Sequence, residues 1–130
     1  MVIDSSAILA ILFDEEDAPL YAQAIGEDDT LYFSVASWLE TAIVIEARFG
    51  APGGEALDEL IQLARIRLEP VTIEQSKIAR KAYRRFGKGR GHPAGLNYGD
   101  CFSYALAKVT GEPLLFKGND FRHTDILSVL

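Results

Sequence analysis

A chain of 130 residues, 48% of them apolar, is long enough to build one hydrophobic core, since domains of about 100 to 150 residues are the commonest. Thirteen Lys and Arg against 19 Asp and Glu give a net charge of −6, which excludes a generally basic nucleic-acid coat protein. Its one cysteine, Cys101, excludes an intramolecular disulfide or a cysteine-built zinc site, no apolar run approaches the roughly 20 residues of a membrane span, and Met-Val-Ile-Asp lacks a signal peptide's basic start. One domain over residues 1–130 and a cytoplasmic location are expected. The charge is unevenly spread: residues 1–59 carry 13 acids and only Arg48, a net of −12, whereas residues 60–130 carry 12 bases and six acids, a net of +6.

The apolar run Met1-Val2-Ile3 stops at Asp4 and predicts a strand, after which Ser5 and Ser6 offer N-caps to an apolar helix from Ala7 to Phe13. Asp14 to Asp17 suits a turn and the acidic start of a second helix, with Pro19 near its beginning and Leu20, Ala24 and Ile25 inward. Thr30 to Phe33 is rich in β-formers and predicts a second strand. A long helix capped at Ser34 or Ser37 follows, with Leu39, Ala42, Ile43, Ile45 and Phe49 inward, ended by Gly50-Ala51-Pro52-Gly53-Gly54.

A further amphipathic helix is expected from about Glu55 to Ile66 and a third strand over Leu68 to Val71. Ile73 to Phe86 predicts a helix with Lys77, Arg80, Lys81, Arg84 and Arg85 on its outer face. The five-glycine loop Gly87 to Gly99 adds Lys88 and Arg90 and should be exposed and mobile, and no acid occurs from Gln75 through Gly99. Asp100 to Val109 predicts a helix and Pro113 to Phe116 a fourth strand, while Ile126 to Leu130 can supply a fifth at the edge.

Strands alternating with helices predict a three-layer α/β/α sandwich around a central parallel sheet of four or five strands. Sites in such sheets lie beyond the carboxyl ends of the strands. Asp4 and Asp120 follow strands, Glu40 lies early in the helix after the second strand, and the long loop can bring Asp100 to the same edge. Four carboxylates sharing a small space raise one another's pKa values, and a divalent cation compensates them. Oxygen ligands without converging His or Cys favour Mg²⁺ or Mn²⁺, which suits phosphodiester hydrolysis, with Lys77, Arg80, Lys81, Arg84, Arg85, Lys88 and Arg90 holding the nucleic-acid backbone.

Each acid also has a purely structural explanation. Asp4 can cap a helix, Glu40 can close a capping box with Ser37, Asp100 can complement a helix dipole and Asp120 can cap the turn Gly118-Asn119-Asp120. Glu46 competes with Glu40 but lies deeper along its helix. The basic helix can be a solvated face, and His92 and His123 carry no catalytic signal. A receiver or phosphatase domain would need paired acids around the first strand, where Asp4 is instead followed by Ser5-Ser6. A non-catalytic RNA- or protein-binding module would have no reason to keep four repelling acids.

Taken together, Met1-Val2-Ile3-Asp4-Ser5-Ser6-Ala7, Ser37-Trp38-Leu39-Glu40-Thr41-Ala42, Leu96-Asn97-Tyr98-Gly99-Asp100-Cys101 and Leu114-Leu115-Phe116-Lys117-Gly118-Asn119-Asp120-Phe121 resemble the PIN-domain ribonucleases, specifically the VapC toxins of type II toxin–antitoxin systems. The resemblance spans essentially the whole chain. It implies an Mg²⁺- or Mn²⁺-dependent endoribonuclease with Asp4, Glu40, Asp100 and Asp120 as its catalytic acids. Asp4 and Asp100 would be primary metal ligands, and Glu40 and Asp120 would complete the site directly or through water. Ser6 matches a supporting Ser or Thr, and Asn119 adjoins the fourth acid. Family membership further implies an RNA loop of a transfer or ribosomal RNA as substrate, a VapB-type antitoxin whose tail blocks the acids, a homodimer and a toxin–antitoxin hetero-oligomer.

Overall fold

A computed structural model of the chain describes residues 1–130. The elements run β1 (Val2–Ile3), α1 (Ser5–Leu12), α2 (Ala18–Gly26), β2 (Tyr32–Ser34), α3 (Val35–Phe49), α4 (Ala51–Leu63), β3 (Arg67–Glu69), α5 (Ile73–Phe86), α6 (Asp100–Thr110) and β4 (Leu114–Leu115). The four strands form one parallel sheet in the order β3-β2-β1-β4. The inner strand β1 is an unbroken apolar run, as strands covered on both faces require, and Val2 and Ile3 are fully buried.

Neighbouring residues of a strand point to opposite faces, so each short strand feeds both sides of the sheet. Ile3 and Leu115 join Ile8, Tyr21, Phe33 and Leu57 in one core, packed by α1, α2 and α4. Val2 and Leu114 join Phe86, Leu96, Tyr104 and Leu106 in a second core, packed by α5 and α6. This is the three-layer α/β/α arrangement.

Several boundaries differ from those the sequence suggests. The cap of α1 is Asp4, whose carboxylate accepts the Ser6 amide, and not Ser5 or Ser6. Helix α2 starts only at Ala18, with no acid in its first turn. Ser34 caps α3. The apparent breaker after α3 is the opening of α4, because Pro52 suits a first helical turn and Gly53 lets the helices approach closely. A Cβ at 53 would stand 2.8 Å from the Ile45 carbonyl oxygen. Strand β3 ends at Glu69, before Pro70, which cannot donate to a ladder.

The expected inward face of α3 is also rotated. Leu39, Ile43 and Phe49 are 53%, 62% and 48% exposed, while Ser37, Thr41 and Ile45 are buried. Leu20 on α2 is likewise exposed. The segment from Ile126 makes no full strand: it meets β4 in a single parallel bridge, Leu114 to Ser128. The glycine-rich loop is anchored rather than wholly exposed. Leu96 and Ala94 are buried in the second core, and Leu96 exchanges backbone hydrogen bonds with Phe86 and Lys88 at 2.8 and 2.7 Å.

Candidate active site

Asp4 stands where β1 ends. Its amide still bonds the Leu115 carbonyl at 2.9 Å, and its side chain is 3% exposed. Burial of a carboxylate is costly without partners, and three donors meet this one. The amide and hydroxyl of Ser6 donate to Oδ2 at 3.0 and 2.6 Å, and the Ser103 hydroxyl donates to Oδ1 at 2.5 Å. Ser103 Oγ lies 3.3 Å from Ser37 Oγ, and since its hydrogen is committed to Asp4, the Ser37 hydroxyl is the donor between them. Ser6 Oγ also accepts the Lys117 amide at 2.9 Å, tying the exit of β4 to that of β1.

Asp100 opens α6 and forms a reciprocal pair with Asn97. Its Oδ2 accepts the Asn97 amide at 3.0 Å, and Asn97 Oδ1 accepts the Asp100 amide at 2.8 Å. The helix-start explanation of Asp100 is therefore real, yet it does not exhaust the residue. Burial, and then the charges of Asp4 and Asp120, push its carboxyl up to about 7, against the lowering effect of the Asn97 N–H. Asp4 and Asp120 thus stand near enough for their charges to bear on Asp100. Asp120 is exposed in the turn after β4, as is Asn119, whose carbonyl accepts the Arg122 amide.

Glu40 is held at the rim, where its Oε1 accepts the Ser5 hydroxyl at 2.9 Å. With Ser34 as the cap of α3, Glu40 is not placed to close a capping box. Gly99 lies against its carboxylate so closely that any Cβ at 99 would collide with it. Glu40 is therefore linked to Asp4 through Ser5 and to Asp100 through Gly99. Glu46 packs toward Gly54 of α4.

No base compensates these acids from within. The Lys117 ammonium turns away to pair with Glu15 and with Asp17. No group of three Asp, Glu, His or Cys side chains stands close enough to hold a metal ion, so a divalent cation here would rely on one or two carboxylates with waters and substrate phosphate. Hard oxygen donors and an uncompensated negative pocket fit a divalent cation.

The seven bases named above are all exposed. Arg80, Arg84 and Arg90 line a cleft of about 540 Å³ together with Tyr83, Tyr98 and Phe102, and the latter two also line, with Glu40 and Gly99, the groove beside it. Lys77, Lys81, Arg85 and Lys88 lie outside its walls, with the Arg85 guanidinium over the Phe86 ring.

Five residues of this network were not singled out as site residues from the sequence: Ser5, Ser37, Asn97, Gly99 and Ser103. Ser103 alone left a readable sign. It lies one turn after Asp100 on the inward face of an otherwise apolar helix, where a hydroxyl needs a partner.

A parallel α/β sheet with a buried, hydrogen-bonded Asp4 at the carboxyl end of its inner strand, and with Glu40 and Asp100 opening onto the same region, defines a class of α/β protein with an acidic site at its sheet edge. The PIN domain family model matches residues 1–127. "Ribonuclease VapC" of Mycolicibacterium smegmatis is 60% identical over 129 residues, covering 99% of both chains. Among solved structures, Mycobacterium tuberculosis VapC20, described as a sarcin-ricin loop cleaving toxin, superposes with a TM-score of 0.81 at 17% identity, over 98% of this chain and 97% of that one. VapBC2 of Rickettsia felis, bound to a DNA fragment from its promoter, gives 0.73 at 11% identity, over 98% and 94%. The chain belongs to the PIN-domain family, in its VapC branch of endoribonuclease toxins of toxin–antitoxin systems. Ribonucleases of this branch depend on divalent metal ions, and their toxins pair with VapB antitoxins.

Proposed function

We propose that residues 1–130 form one nuclease unit that hydrolyses RNA phosphodiester bonds with Mg²⁺, for which Mn²⁺ substitutes, held by Asp4 and Asp100 and completed by Glu40 and Asp120. The observation that carries this reading is the buried Asp4 carboxylate at the end of β1, oriented by three hydroxyl and amide donors and paired with no base. When bound, a divalent ion would compensate the acids' charge and ease deprotonation of the water that attacks phosphorus. The chain's own residues do the positioning. Ser6 and Ser103 fix both oxygens of Asp4, Asn97 fixes one oxygen of Asp100, and Ser5 fixes Glu40.

The substrate is a single-stranded loop of a transfer or ribosomal RNA, whose phosphates reach a shallow site. The basic helix and loop hold its backbone. A VapB-type antitoxin would silence the site by setting an Arg or Lys among the acids, since a negative pocket attracts such a group. Toxin homodimers joined to antitoxin in a hetero-oligomer, in the cytoplasm, complete the proposal. No helix of the chain is long and apolar enough to cross a membrane.

Cleavage of a mixed pool of structured RNAs tests it, with Mg²⁺ or Mn²⁺, a chelator control and Asp4→Asn purified alongside. Cutting by the wild type alone, and only with metal, is the expected result. Equal cutting by Asp4→Asn would assign the activity to a contaminant and overturn the proposal.

A further inference from the structure

Tyr98 is 79% exposed, more than any other large apolar side chain of the protein. It is nevertheless held in place. Phe102 meets its ring in a T-shaped contact, centroids 4.9 Å apart at 87°, and the backbone is fixed on both sides. Before it, Asn97 is bonded to Asp100; after it, Gly99 abuts the Glu40 carboxylate. The ring thus stands, backed by Phe102, on a segment tied to Asp100 on one side and to Glu40 on the other.

One flank of this ring is the cleft that carries Arg80, Arg84 and Arg90. None of the three forms an ion pair, no acid lines the cleft, and the Arg90 guanidinium is held 5.7 Å from the centroid of Tyr83. Free guanidinium groups seek phosphate, and an exposed ring beside them offers a face to a base. The volume of about 540 Å³ lies within the range of ligand sites, roughly 300 to 1,000 Å³. The groove on the other flank is lined by Leu39, Ile43 and Val44 and lacks such cations.

We infer that this cleft is a subsite for the nucleotide next to the scissile phosphate, its base stacked on Tyr98 and its own phosphate held by Arg80, Arg84 and Arg90. This rests on the ribonuclease reading and adds a residue that selects how RNA is threaded. Tyr98 acts by positioning, since it touches the neighbouring base and not the reacting atoms.

The test uses a single-stranded RNA carrying 2-aminopurine at each position in turn, read by stopped flow in Mg²⁺ before cleavage and at equilibrium in chelator. Wild type should quench the probe at one or two adjacent positions. Tyr98→Phe should keep that quench, whereas Tyr98→Ala should lose it and bind about 5- to 100-fold more weakly, the range that base–aromatic stacking implies. Circular dichroism checks that both variants are folded. Wild-type binding without quenching at any position, or a Tyr98→Ala protein that quenches and binds like wild type, overturns the inference. Metal-dependent cutting that Asp4→Asn abolishes would leave the ribonuclease reading standing in either case, so the two can fail separately.

Discussion

Ser103 contributes nothing to the acid count, yet its hydroxyl satisfies one oxygen of the buried Asp4. Ser103→Ala should lower cleavage about 10- to 100-fold, the usual effect of removing a group that orients a metal ligand, with an unchanged circular dichroism spectrum. A metal titration of activity checks it, and an unchanged half-saturation and rate would deny Ser103 this role. Asp100 gives a pH dependence. Its carboxyl is held near 7 in the fold against 3.8 in the unfolded chain, so between about pH 4 and pH 7 the folded state carries the extra proton. Without metal, stability should therefore fall as pH rises through that window and level off above it. Asp100→Asn should remove this part of the dependence, and Mg²⁺ should reverse it by replacing the proton; denaturant titrations in chelator and in Mg²⁺ read both. The four acids stood out in the sequence by position: Asp4 and Asp120 follow predicted strands, and Glu40 and Asp100 lie near the starts of helices. Ser103, Asn97 and Gly99 did not, because their roles depend on which strangers in the sequence lie opposite them.

At the level of elements, paired glycines in α4 behave differently. A Cβ at Gly53 would press on the Ile45 backbone, 2.8 Å away, whereas one at Gly54 meets only the flexible Glu46 carboxylate, 3.0 Å away at its carbon. Gly53→Ala should cost about 1 to 3 kcal/mol through overpacking, while Gly54→Ala should be neutral or gain up to about 1 kcal/mol of helix propensity. Thermal melts of the two variants distinguish them, and equal melting temperatures would contradict the close approach. The same glycines explain why the start of α4 was misjudged: local breaker chemistry yielded to helix packing. Likewise α3 turns Ser37 and Thr41 inward and Leu39 and Ile43 out, against simple amphipathicity. Of its buried hydroxyls, that of Ser37 supports Ser103, while that of Thr41 donates to the Ser37 carbonyl within the helix. The parallel sheet and the layer number were legible because alternating strand and helix signals admit few right-handed parallel arrangements, whereas the strand order came only with the structure.

For the whole molecule, the division of charge into an acidic first part and a basic second part becomes spatial. The acid-rich part supplies Asp4 and Glu40, and the basic part supplies the arginine cleft beside them. RNA affinity should fall with salt, and replacing Arg80, Arg84 and Arg90 by Ala should reduce the slope of log affinity against log salt by about 2, at roughly 0.7 per phosphate released. Anisotropy titrations of a labelled single strand across a salt series measure it, and an unaltered slope would remove these arginines from the interface. The bonds that close the site are long in sequence: Asp4 waits for Ser103, 99 residues later, and Ser6 for the Lys117 amide, 111 residues later. During synthesis the first strand emerges with its carboxylate well before the partners that orient it. A nascent chain thus lacks both of these bonds until α6 and β4 have left the exit tunnel and β4 has paired with β1, so the orientation of Asp4 is among the last features of the fold to form.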